Sequence, residues 1–278
     1  MTRTPPRTPM IGVFDSGVGG LTVLAALLEQ ASSADYIYLG DTARLPYGSK
    51  SQATVAKYAV SSAHFLVEQG AEALVIACNT ASALALDALR AAVDVPVIGV
   101  IETGATAALE SSETGDVMVV ATPATVESRA YSAACRERGL RAIEKACPLL
   151  VPLVEEGWID HPVTREVAGI YLDDLLSHTA AAGMTADTLV LGCTHYPLLR
   201  PVIEGTLREH AGGQTIRVID SAHVTAKQVA ARLALASPVE RDPSVRFYAT
   251  DSVAKFRALG TRFLGRAIES VELIDLGG

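Results

Sequence analysis

Short, largely apolar and β-branched runs recur along this chain, each separated from the next by a longer Ala- and Leu-rich stretch. The runs are Met10–Phe14, Tyr36–Leu39, Ala73–Ala77, Val97–Val100, Val117–Ala121, Leu189–Leu191, Arg217–Ile219 and Val245–Ala249. Runs this apolar read as strands buried on both faces, as in parallel sheets. The stretches between them carry helical periodicity: Leu21, Leu24, Leu27 and Leu28 fall on one face of a helix. Further helices are predicted over Gln52–Gln69, Ser82–Ala92, Thr164–Ser177, Val224–Ala236 and Ser252–Leu264. Strand and helix in alternation imply an α/β fold. With 278 residues, 49% of them hydrophobic and 19% charged, the chain can bury a sizeable core, which excludes disordered and fibrous classes. That length suits one large or two small domains.

Two pairs of segments echo each other. Leu74 to Thr80 (Leu-Val-Ile-Ala-Cys-Asn-Thr) resembles Leu189 to His195 (Leu-Val-Leu-Gly-Cys-Thr-His). Each is an apolar strand, a small residue, a cysteine, then hydrogen-bonding side chains. Val13 to Ser16 likewise echoes Val120 to Thr122. Two related α/β halves would account for both echoes. No linker divides them, so the boundary is a simple crossing of the chain near Ile101 and again near Ala211.

Ligands of open parallel sheets bind outside the carboxyl ends of the strands. The polar residues cluster there: Asp15 and Ser16, Asp41, Cys78 with Asn79 and Thr80, Thr122, and Cys193 with Thr194 and His195. Cys135 and Cys147 lack that setting and read as packed thiols. None of the four cysteines forms a CxxC pair, so neither a zinc finger nor a thioredoxin motif is indicated. The histidines have no ligand-like spacing, and no metal site is expected. The turn Asp15 to Gly20 could bring backbone N–H groups to an anion, and Asp41 could mimic a ribose-binding acid. Thr22 stands where a full GxGxxG would need its last glycine, so a dinucleotide enzyme is only the weaker alternative. No P-loop and no recognisable cofactor-binding lysine occurs. Leu45 to Lys50 reads as a rigid turn presenting Tyr47.

A formal net charge of −8 argues against a general nucleic-acid binder. No stretch approaches the ~20 apolar residues of a membrane span, and Met1–Pro9 lacks the apolar core of a signal peptide. A cytoplasmic protein with reduced thiols is the expectation.

Four segments together resemble the glutamate racemase family. They are Gly12–Leu21 with Asp15-Ser16-Gly17 and Gly19-Gly20, Gly40–Gly48 with Asp41 and Pro46-Tyr47-Gly48, Ala77–Ala81 around Cys78, and Gly192–Leu198 around Cys193. Their order and spacing match across essentially the whole chain. Ala121 departs from the glycine the family pattern leads one to expect before Thr122. The sister racemases of aspartate and hydantoins share the two-cysteine plan and supply the nearest alternative substrate. A non-enzymatic relative that retained the fold would be marked by loss of one cysteine, and both are present.

The resemblance implies two pseudo-symmetric α/β domains with mainly parallel sheets and an active site in the interdomain cleft. The first, discontinuous domain would comprise residues 1–101 plus 212–278 and carry Cys78. The second, 102–211, would carry Cys193. It also implies cofactor-independent interconversion of L- and D-glutamate, supplying D-glutamate for peptidoglycan, with homodimerisation as a family expectation. The short lead Met1–Pro9 does not fit the N-terminal extension that some relatives use for regulation by a cell-wall precursor.

Racemisation takes a proton from one face of the α-carbon and returns one to the other, so an acid and a base must flank it. A thiol with an ordinary pKa of about 8.5 needs only a modest shift to serve near neutrality. The resemblance assigns Cys78 to D-glutamate and Cys193 to L-glutamate, with Asp15 assisting Cys78, and His195 with Glu155 assisting Cys193. For the substrate's two carboxylates and ammonium, Asp15, Ser16, Pro46, Tyr47, Gly48, Asn79, Thr80, Thr122, Thr125, Thr194 and His195 are the candidate contacts.

Overall fold

The structure is a computed structural model that describes residues 8–235 and 242–277. Ten strands alternate with eleven α-helices among these residues. The first half runs β1 (Met10–Asp15), α1 (Leu21–Gln30), β2 (Asp35–Gly40), α2 (Gln52–Glu68), β3 (Ala73–Ile76), α3 (Asn79–Ala92) and β4 (Val97–Gly99). The second runs α4 (Val100–Ser111), β5 (Asp116–Ala121), α5 (Pro123–Ser128), α6 (Ala130–Glu137), β6 (Arg141–Ala146), α7 (Leu150–Glu155), α8 (Pro162–Ala181), β7 (Thr188–Gly192), α9 (Arg200–His210) and β8 (Arg217–Ile219). The chain ends with α10 (Ala222–Arg232), β9 (Val245–Ala249), α11 (Val253–Leu264) and β10 (Glu272–Leu273). Short 3-10 turns at Tyr47–Ser49 and Tyr196–Leu199 complete the set.

Two sheets form, and every strand pair in both is parallel. The first has the order β10-β9-β2-β1-β3-β4, the second β6-β5-β7-β8. The run β2-β1-β3-β4 has the same topology as β6-β5-β7-β8. The echo in the sequence is therefore an echo in the fold: β3 and β7, which precede the two cysteines, hold the same place in their sheets. So do β1 and β5, which precede Asp15 and Thr122. Within each sheet the chain leaves the first strand to one side and returns on the other. The crevice between β1 and β3, and that between β5 and β7, is the position where such sheets bind ligands.

The central strands are buried on both faces because helices cover both. Ile11 and Val13 of β1 face a core shared with α1, while Phe14 faces a second core against α2 and α3. In β5, Val117 and Val119 face a third core against α4 and α6, and Met118 and Val120 turn to the first. The first core is continuous between the halves, and α10 packs on both α1 and α4.

Three local expectations differ from what forms. β6 is absent from the apolar runs because it is an edge strand: its sequence Arg-Ala-Ile-Glu-Lys-Ala keeps polar groups where no neighbour covers them. β8, placed by the sequence with the returning segment 212–278, instead pairs with β7 in the second sheet, in the register Thr188↔Arg217. A three-residue strand, Arg-Val-Ile, carries no mark of the sheet it will join. Helix α3 begins at Asn79, earlier than Ser82, because Cys78 itself is the N-cap. Ala236, the expected end of α10, and Met1–Arg7 lie outside the described residues.

Candidate active site

A cavity of about 340 Å³ opens between the carboxyl ends of the two sheets. Cys78 and Cys193 both line it, one from each half, as do Asn79, Thr80, Thr194 and His195 beside them. Ser16 borders it after β1 and Thr122 after β5. The loop Pro46 to Ser49 forms one wall, and Pro148, Val151, Pro152, Glu155 and Glu156 form another. Asp15 and Thr125 are not among the lining residues.

Cys78 is 5% exposed. Its Sγ accepts from the backbone N–H of Ala81, at 3.4 Å, and its thiol donates to Ser16 Oγ at 3.5 Å. A cysteine at a helix N-terminus ordinarily acidifies. Here burial and the nearby charge of Asp15 win over those hydrogen bonds, and the thiol is pushed up to about 12. Cys78 is therefore a thiol at neutral pH.

Cys193 stands in a different environment. Its Sγ lies 4.0 Å from His195 Nδ1. The other ring nitrogen, Nε2, lies 3.4 Å from Glu155 Oε1, without the alignment of a hydrogen bond. Burial alone would push the imidazole down. Its contacts with Cys193 and Glu155, joined by the charges of Cys193 and Asp15, outweigh that and hold His195 up at about 10. Glu155 is held below the ordinary carboxylate range by His195 and then Lys255, against the opposing effect of burial. Lys255 Nζ, from α11, sits 3.2 Å from Glu155 Oε2. Glu156 borders the same cavity one residue further on.

Asp15 lies behind the wall, 1% exposed. It accepts from the Gly17 N–H at 2.8 Å and from the Thr194 hydroxyl at 3.5 Å. Burial raises its carboxyl pKa, and His195 opposes that most. It reaches both half-sites electrostatically, acting on Cys78 and on His195.

Hydroxyls stitch the seam. Thr80 Oγ1 is 2.9 Å from Thr122 Oγ1, which is 2.9 Å from Thr125 Oγ1. Thr125 thus braces Thr122 from behind rather than facing the cavity. The presented tyrosine is also corrected: Tyr47 is buried, and its hydroxyl donates to Asp41. Asp41 further pairs with Arg44 and accepts from Thr250 at 3.0 Å. It is a brace for the Pro46–Gly48 wall, fully buried and outside the cavity lining. The Leu45–Pro46 peptide in that wall is cis.

The glycine turn makes the closest approach between the halves at Gly19, while Gly17 borders the cavity. A Cβ on Gly19 would lie 2.3 Å from Thr194 Oγ1 and 2.7 Å from His195 Nδ1. Only hydrogen fits where the first half meets the second cysteine segment. Phe263 of α11 closes the far side of His195, edge to face at 5.2 Å.

Sequence reasoning missed the apolar wall. Val151 stands one helical turn before Glu155, and that i, i+4 spacing could have placed both on one face. Cys135 and Cys147 lie outside the cavity, and burial raises both thiols, to about 11 and about 12. Among the described residues no three His, Cys, Asp or Glu side chains converge as metal ligands, and no helix is long and apolar enough to cross a membrane.

Comparison with known proteins bears on the same geometry. The family model of Asp/Glu/hydantoin racemases matches residues 11–229. Glutamate racemase of Koribacter versatilis is 50% identical, with 98% of this chain and 99% of that protein aligned. The crystal structure of the Francisella tularensis glutamate racemase in complex with D-glutamate superposes with a TM-score of 0.84 at 36% identity, covering 97% of this chain and 98% of that one. That of the Escherichia coli glutamate racemase, in complex with L-glutamate and the activator UDP-MurNAc-Ala, gives 0.73 at 28% identity over 98% and 100%.

Proposed function

The chain belongs to the Asp/Glu/hydantoin racemase family, and on that premise we propose that it interconverts L- and D-glutamate without a cofactor, using Cys78 and Cys193 as the two acid–base groups. One observation carries the reading: two thiols, each following the equivalent strand of a separate sheet, line one small cavity from opposite halves. That is the arrangement a two-face proton exchange needs and that a single helix or strand could not supply.

For L-glutamate, the Cys193 thiolate beside the His195 imidazolium takes the α-proton. The C–H electron pair passes to the α-carbon and its carboxylate. The Cys78 thiol then delivers its proton to the opposite face, so D-glutamate forms and the pair has exchanged states. The reverse reaction restores it. A thiol held up at about 12 is a weak acid, and its thiolate is correspondingly a strong base toward a carbon acid. Asp15 acts on Cys78 through charge. Glu155 keeps His195 oriented and cationic. The carboxylates take neutral donors from Ser16, Asn79, Thr80, Thr122 and Thr194 and from the backbone at Tyr47 and Gly48, so binding does not hold the ground state too tightly.

The same reading assigns the product D-glutamate to peptidoglycan synthesis in the cytoplasm. The test is α-deuterium exchange in D2O with L- and D-glutamate and with L- and D-aspartate. Exchange into both glutamate enantiomers is expected. Exchange confined to aspartate would move the assignment to the sister activity. Cys78→Ala and Cys193→Ala should each abolish steady racemisation with the fold intact, and full activity in either would refute the two-thiol scheme.

A further inference from the structure

Tyr131 belongs to no motif, yet it touches both half-sites. It lies in α6 of the second half, and its side chain is fully buried. Its hydroxyl donates to Asn79 Oδ1 at 2.7 Å, across the seam. Two glycines make room for the ring. A Cβ on Gly104 of α4 would lie 2.9 Å from the phenol oxygen, and one on Gly192 would lie 2.9 Å from ring Cε2. One phenol therefore meets the residue after Cys78 and the residue before Cys193.

A carboxylate subsite needs donors. The Asn79 side chain has N–H groups only at Nδ2, and Oδ1 can only accept. With Oδ1 turned to the cavity, an acceptor would oppose a carboxylate. Burial holds the Tyr131 phenol well above its ordinary range, so it remains a donor throughout the neutral region. A donor on that side draws Oδ1 toward itself and leaves Nδ2 for the cavity that Asn79 lines.

We propose that Tyr131 is a positioning residue that locks the Asn79 amide with its donor end toward the substrate carboxylate, and so builds part of that subsite from across the seam. The proposal rests on the glutamate reading above. Tyr131→Phe keeps the ring and deletes only the hydroxyl. It should raise KM for L- and D-glutamate alike by about tenfold, leave kcat within about threefold, and weaken calorimetric binding of D-glutamate by the same factor as KM. Asn79→Ala should lose binding at least as severely, and adding Tyr131→Phe to it should change nothing more. A purely structural tyrosine would lower Tm and leave KM alone. Unchanged KM in Tyr131→Phe beside an active wild type overturns the proposal, as does an additive double variant. A wild type that neither binds nor exchanges glutamate overturns the functional reading instead, and the proposal with it.

Discussion

Gly19→Ala adds one methyl group where the two halves meet. The backbone at Gly19 is not in the left-handed region, so alanine is conformationally acceptable and only space is at issue. The new Cβ would lie 2.3 Å from Thr194 Oγ1, 2.7 Å from His195 Nδ1 and 2.9 Å from His195 Cε1. Unstrained contact needs about 3.5 Å, so Thr194 and His195 must retreat by roughly 1 Å. They have little freedom to do so. Thr194 is tied to Asp15, and His195 is held between Cys193, Glu155 and Phe263. Overpacking of this kind costs about 1–3 kcal/mol of stability. A displacement of about 1 Å in the acid–base apparatus costs on the order of 100-fold in rate. The expected result is a kcat for L-glutamate reduced by about that factor, followed by polarimetry, with urea unfolding reporting the stability loss. Gly17→Ala is the matched control for stability. Its Cβ would meet Leu45 Cδ2 at 3.7 Å and Asp15 Oδ2 at 3.9 Å, ordinary contacts, so its unfolding midpoint should be no lower than that of wild type. If Gly19→Ala retains wild-type kcat and stability, the seam is not packed as described and the argument fails.

Two further outcomes follow from charge and from helix propensity. His195 binds its proton more tightly folded, at about 10, than at its ordinary 6.5. That contribution to stability is complete below about pH 6.5 and is lost as pH rises through 10. The stability difference between wild type and His195→Gln should shrink over that window by an amount on the order of a few kcal/mol; a difference independent of pH would contradict a cationic His195. Gly205 lies inside α9, where a Cβ would meet only the Arg208 guanidinium at 3.8 Å. Gly205→Ala should raise stability by about 0.5–1 kcal/mol in denaturant melts without altering kcat, and a loss of stability would show an unrecognised contact on that helix face.

Much of the framework was legible because it is local. Burial on both faces writes itself as an apolar run, and β1, β2, β3, β5, β7 and β9 all begin and end within a residue or two of the runs expected. The cysteine echo was legible for the same reason, since equivalent strands in the two sheets face equivalent packing. The edge strand β6 was not, because a strand with one free edge keeps charges that mask its pattern. The sheet joined by β8 was not, because register is a relation between segments. The partners of Tyr47 and Tyr131 were equally hidden: Asp41 braces one and Asn79 engages the other, and neither pairing leaves a trace in spacing.

The sequence by itself determined an α/β chain with two related halves, two cysteines at strand ends and a turn rich in glycine, because each depends on a few neighbouring residues and on burial. Only the tertiary structure decided which groups face the cavity and which stand behind it. Asp15 and Thr125 withdrew from the cavity, and Val151 and Pro152 entered its wall. It also decided that the two thiols have different surroundings. Burial and a carboxylate hold Cys78 protonated, while Cys193 faces a charged imidazole. Electrostatics of that kind are set by distances and desolvation between chain segments, which exist only once the halves have closed on each other.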